Sequence, residues 1–225
     1  MIISPLDPLF YTREADTAPY LAVPDAAALG NEELRMAYWE MLQEYVGLKA
    51  LRLPRDRPIS ILELRCGEAL EAPTLCAYLG GCKDRFDLND RVRYTGIHDD
   101  GDLLDAIRPD FEKLCRKKLP KPLNIFSFTG RFPEKQAPVN DVLVLNHFDK
   151  DECPYSEWKS LLQQGLQYLM KKGIAIATAN WTGHAPDLRH ILSDKCRFLC
   201  DKQNEYSPVP GEVYDHIIVA QKVEW

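Results

Sequence analysis

Three short stretches of this chain hold side chains whose types and spacing could do chemistry. In ILELRCGEAL (61–70) an apolar run carries an acid, Glu63, and runs into Cys66, Gly67 and Glu68. An apolar run entering a glycine turn is how many nucleotide-binding loops begin. Glycine lets backbone amides approach a ligand where a Cβ would clash. RVRYTGIHDD (91–100) ends a second such run in His98, Asp99 and Asp100, and NDVLVLNHF (140–148) ends a third in Asn146 and His147. A histidine ionises near neutrality, so His147 could serve as a general base; the plainer reading is a solvated loop histidine.

Other groups invite proposals that weaken on inspection. His184, His190, Cys196 and Cys200 could suggest zinc. If 197–200 is strand, the two cysteines lie on one face about 13 Å apart at ~3.3 Å per residue. Thiolates that share an ion through bonds of about 2.3 Å cannot stand so far apart, so no metal site is expected. Lys113, Arg116, Lys117, Lys118 and Lys121 crowd one helix end, where cations suit the helix dipole. Tyr11, Tyr20 and Trp181 could line a pocket or simply pack. Thr129 to Arg131 form a turn that needs no ligand to explain it.

The bulk properties narrow the field. The 225 residues suit one large domain, and hydrophobic and charged shares of 45% and 28% are those of an ordinary globular protein. A net charge of −6 argues against a broadly basic nucleic-acid surface. The first residues, MIISPLDPLFYTREAD, lack the basic flank and apolar core of a secretory signal, and no apolar stretch reaches the ~20 residues of a membrane span. Seven cysteines without a C-x-x-C pair suit a reducing compartment. A cytoplasmic protein is expected.

The elements that must position these residues follow from periodicity. Residues 1–30, punctuated by Pro5, Pro8, Pro19 and Pro24, read as an irregular arm or lid. Helices are expected over 31–51, from Pro73 to Gly81, from 102 onward with a kink at Pro109, over 156–172, and over 185–194. The helix over 156–172 should end in a basic last turn and C-cap glycine, Lys171-Lys172-Gly173. Strands are expected at 59–64, 91–100, 123–132, 140–148 and 173–181, with a closing hairpin beyond 195. Strands that alternate with helices predict an α/β domain over 31–225: a doubly wound, mostly parallel, seven-stranded sheet with a C-terminal antiparallel hairpin.

That order resembles the class I S-adenosylmethionine-dependent methyltransferase fold over residues 31 to 225. ILELRCGEA resembles its first motif, YTGIHDD its second strand, NIFSFTGRFPE the segment after its third, NDVLVLNHF its fourth strand, and GLQYLMKKGIAIA the helix, turn and fifth strand. The resemblance implies S-adenosylmethionine as cofactor. Its amino-acid end would lie against Glu63, Cys66, Gly67 and Glu68. His98 or Asp99 would hold the ribose, Gly130 and Arg131 would lie beside the adenine, and Asn146 would meet the methionine moiety. His147 would be the catalytic group toward a small-molecule or protein nucleophile, and the arm would help select it. Neither nucleic acid nor membrane is implied as a partner; a homo-oligomer is open. The chain departs from the pattern at Arg65 and Ala69, where glycines are usual, at His98, where an acid is usual, and at Arg131, where an acid commonly meets the adenine amine. Those departures support an alternative, a catalytically inactive binding or assembly module with Arg65 reaching into the cofactor space. A nicotinamide enzyme would need glycine at Arg65 and Leu70 as well as at Gly67.

Overall fold

A computed structural model describes residues 31–47, 57–67, 70–81, 92–98, 124–129 and 140–223, with isolated positions between them. The arm with Tyr11 and Tyr20, and Glu68, Ala69, Asp99, Asp100, Gly130 and Arg131, lie outside these residues, as does the basic run from Lys113 to Lys121.

Seven strands form one sheet: β1 Ile59–Leu64, β2 Val92–Ile97, β3 Asn124–Thr129, β4 Asn140–Phe148, β5 Leu169–Ala179, β6 Cys196–Gln203 and β7 His216–Lys222. Their order is β3-β2-β1-β4-β5-β7-β6. The first five run parallel, and β7 inserts antiparallel between β5 and β6. The chain reverses its direction of strand addition between β1 and β4, which opens a crevice at their carboxyl ends.

Successive residues of the central strands face opposite layers, which is why their sequences are apolar almost throughout. Ile59, Ile61, Val142, Val144, Ile174 and Ile176 pack beneath helices α1 (Asn31–Met41) and α2 (Ala72–Gly81). Leu62, Leu64, Leu143, Leu145, Ala175 and Ala177 face α3 (Tyr155–Tyr168) and α4 (Ala185–Ser193). The sheet is thus covered on both sides, as the doubly wound reading requires.

Two boundaries differ from expectation. The first helix passes into a π-helical turn, Leu42–Val46, and stops at Gly47 in the left-handed region (φ 52°), short of residue 51. Helix α3 ends at Tyr168, and Lys171, Lys172 and Gly173 belong to β5 rather than to a cap. Gly173 serves close approach there. A Cβ on it would lie 2.7 Å from the Leu169 side chain and 2.8 Å from the Met170 carbonyl oxygen. No helix among the described residues is long and apolar enough to cross a membrane.

Candidate functional site

The carboxyl edge of β1 and β4 holds a buried polar cluster on the α1/α2 side. Glu63, 1% exposed, accepts hydrogen bonds from the Tyr94 hydroxyl (2.5 Å) and from Asn146 Nδ2 (2.8 Å). The parallel register makes this possible, because β2 and β4 flank β1: Tyr94 stands two residues before Gly96, the β2 partner of Glu63, and Asn146 two residues after Val144, its β4 partner, so the carboxylate is met from both sides. Burial, and then the nearby Glu71 carboxylate, push the Glu63 carboxyl up to about 7 against the pull of its two donors. The Tyr38 hydroxyl lies beside Asn146 without meeting it at hydrogen-bond geometry, and Asn146 Oδ1 has no hydrogen-bond partner among the described residues.

A second network adjoins the first. Glu71, buried just ahead of α2, accepts from the Tyr214 hydroxyl and pairs with His147 Nε2 at 2.7 Å. His147 Nδ1 faces Asn180 Oδ1 at 3.0 Å, and the imidazole ring tilts against Tyr214 at 4.7 Å. Burial pulls the His147 pKa down, but Glu71 and Asn180 outweigh it and the net direction is up. Burial likewise pushes Glu71 up, and His147 and Tyr214 carry it below its ordinary value. Each shift favours the charged form of its group, so the two stabilise one another as an ion pair. Both ring nitrogens donate into acceptors, so this arrangement leaves His147 no lone pair with which to take a substrate's proton.

Between the strand and α2 runs the turn. Arg65 and Gly67 both adopt left-handed backbone, with φ of 50° and 49°. The Cys66 amide donates to the Ile97 carbonyl at 3.0 Å, tying the turn to β2, and Arg35 Nε donates to the Leu70 carbonyl at 3.0 Å, tying it to α1. The Cys66 thiol is buried, and burial followed by Glu63 raises its pKa far above that of a reactive thiol. A Cβ on Gly67 would meet no described atom within 4 Å, so none of the described residues closes the turn at that point. The Arg65 guanidinium lies over the Trp158 ring of α3 at 4.9 Å, on the side of the sheet away from Glu63. His98 follows β2, half-buried. Four described residues other than glycine have positive φ, and three of them, Arg65, His147 and Tyr214, border this edge. Such backbone costs about 1 kcal/mol per residue and tends to gather at functional sites.

The residues once grouped as a zinc set are dispersed. A bulge in β6 pairs Cys196 with Lys222 and Cys200 with Val219. The two cysteines consequently face opposite layers, not one face as expected, and His190 is exposed on α4. His184 instead sits beside Asp149 and Asp151, beyond the ends of β4 and β5. Trp181, 53% exposed, stands edge-on to its ring. Glu71, Tyr94, Asn180, Tyr214, Asp149 and Asp151 escaped the sequence reading. Only the alternate acids in FDKDE, directly after a strand, offered a signal.

No protein-family model matches the sequence, and no curated protein matches it. Solved structures do. The magnesium protoporphyrin IX methyltransferase of Synechocystis PCC 6803, with bound SAM, superposes with a TM-score of 0.57 at 9% identity, over 99% of this chain and 98% of that one. A SAM-dependent methyltransferase from Methanosarcina mazei gives 0.54 at 12% identity, over 76% and 95%. The N-methyltransferase NodS of Bradyrhizobium japonicum WM9 gives 0.53 at 12% identity, over 86% and 98%. The chain has the class I S-adenosylmethionine-dependent methyltransferase fold.

Proposed function

We propose that this protein binds S-adenosylmethionine at the carboxyl edge of β1, β2 and β4 and transfers its methyl group to a small-molecule or protein nucleophile. The observation that carries the reading is the turn at Gly67, left-handed, tied to β2 through Cys66, and with no described atom where a Cβ would stand. A turn of that shape presents backbone to a ligand, and a side chain would fill it. The solved methyltransferases that share the fold support the same edge as the place to look.

When bound, the cofactor supplies an electrophilic methyl group on a sulfonium. The chain's own residues would hold and orient it. Gly67, with Glu68 beside it, would receive the amino-acid end. Glu63 and Asn146 would form a rigid floor, since each already fixes the other. His98 or Asp99 would take the ribose, and Gly130 and Arg131 would flank the adenine. His147, held as a cation by Glu71 and Asn180, would position the edge of the site and its charge, while transfer proceeds chiefly through alignment of nucleophile and sulfonium.

Calorimetry and thermal shift with S-adenosylmethionine and S-adenosylhomocysteine test this. A ligand that binds only the folded state stabilises it, by about 2.7 kcal/mol at a hundredfold excess over Kd. No heat and no shift with either ligand at about millimolar concentration, against that expectation, ends the reading. One observation favours the inactive module: both ring nitrogens of His147 are already engaged, by Glu71 and Asn180. Cofactor binding without methyl transfer to any oxygen or nitrogen nucleophile would select it.

A further inference from the structure

Asp149, Asp151 and His184 offer one ligand atom each, all within 4.8 Å of one another, beyond the carboxyl ends of β4 and β5. Two neighbouring acids alone would signify little; the histidine makes the difference. Its side chain is 4% exposed, and Nδ1 is buried with no hydrogen-bond partner among the described residues. That nitrogen points at Asp149 Oδ1 from 3.6 Å. The separation is too long for a hydrogen bond. It is close to the ~3.4 Å edge of a tetrahedron whose ligands stand about 2.1 Å from a central ion.

The surroundings hold the donors in place. Asp149 Oδ1 accepts from the Asp151 amide at 2.8 Å, and the Asp149 carbonyl accepts from Trp158 Nε1 at 2.7 Å. The His184 ring is wedged edge-on between Phe148 and Trp181. Lys150, between the two acids in the chain, pairs with Asp187 at 2.5 Å instead. Asp151 Oδ2 lies 4.0 Å from the other ring nitrogen, Nε2, and its side chain is 90% exposed, so the carboxylate is free to turn toward an ion held by Asp149 and the ring.

We propose that Asp149, Asp151 and His184 bind a divalent metal ion of the manganese-to-zinc series. One imidazole nitrogen with two carboxylates suits those ions, whereas magnesium and calcium prefer oxygen alone. Three protein ligands leave at least one coordination position open on the exposed side of Asp151, the pattern of a site that meets substrate or water rather than a purely structural one. The ion lies two residues past His147 and four past Asn180, on the edge assigned above to the cofactor, but its binding does not rest on that assignment.

The test uses the full chain, stripped with a chelator and titrated with Mn²⁺, which thiolates do not favour. Electron paramagnetic resonance counts the free ion. One Mn²⁺ bound per chain is expected, with binding weakened at least roughly tenfold in Asp151→Asn and in His184→Asn. Asp151→Asn alters only an exposed side chain, so its fold is retained even should the buried histidine variant fail. Three results would overturn the proposal: no loss of the free-ion signal, unchanged affinity in Asp151→Asn, or displacement of Mn²⁺ by an equal concentration of Mg²⁺. Because the ion is measured without S-adenosylmethionine, failure here and failure of cofactor binding are separate outcomes.

Discussion

Glu63→Gln isolates the most consequential electrostatic feature of the site. A carboxyl group moved from an ordinary 4.5 to about 7 differs in free energy by about 3 kcal/mol between its two protonation states. The folded-state pKa is raised, so the folded chain holds this proton more tightly than the unfolded chain. The corresponding stability is fully present below 4.5 and is lost as pH rises through about 7. At higher pH the wild type carries the full cost of a buried charge. Glutamine has no such charge, and its amide can keep both contacts: Oε1 still accepts from Asn146, and Nε2 donates to Tyr94 once that hydroxyl turns from donor to acceptor.

Urea unfolding of both proteins from about pH 5 to about pH 8 should therefore show the variant gaining on the wild type by about 2.5 kcal/mol across the range. That corresponds to a relative rise in Tm of roughly 5–10 °C. Other titrating groups, including His147, cancel in the difference to first order because they are common to both chains. A difference that stays constant with pH would refute the argument, since it would mean that Glu63 changes protonation alike in the folded and unfolded states.

Arg65→Gly relieves about 1 kcal/mol of left-handed strain but gives up a contact with Trp158 of similar size, so stability should move by less than about 1 kcal/mol. Its affinity for S-adenosylmethionine should change less than about threefold, and a gain of tenfold or more in calorimetry would place the arginine in the ligand's space after all. Asp141→Ala removes two 2.7 Å hydrogen bonds from Arg57 and the acceptor of the Ser60 amide. Arg57 is 39% exposed and can turn to water, so the expected loss is only about 2 kcal/mol, read by urea unfolding; a loss under about 0.5 kcal/mol would contradict it.

Much of the fold was legible because strands buried on both faces must be apolar nearly throughout, and runs such as ISILEL and DVLVL stand out on that ground. The start of β5 was not. A Lys-Lys-Gly sequence satisfies the local chemistry of a helix end, yet pairing with β4 draws Leu169 into the sheet and overrides it. The site divides in the same way. Glu63, Gly67 and Asn146 could be found because the last residues of parallel strands share one edge. Glu71, Tyr94 and Tyr214 could not, since nothing local marks a residue whose partner lies 31 to 143 positions away. His184 was noticed for its type but matched with the wrong ligands, because cysteines on a neighbouring strand were nearer in sequence than the acids beyond β4.

Arg65 shows why composition and conformation must be read separately. A glycine is expected in such a turn because its backbone must enter the left-handed region, where a Cβ is penalised. The backbone does enter it, at φ 50°, with arginine in place of glycine. The penalty is about 1 kcal/mol, and the guanidinium's contact with the buried Trp158 ring is large enough to offset it. The same contact draws the side chain toward α3, away from the side of the sheet on which Glu63 lies. An inactive module in which Arg65 blocks the cofactor's place requires the opposite orientation. The substitution therefore removes a glycine without removing the geometry that glycine ordinarily provides, and it does not by itself argue against a ligand over this turn.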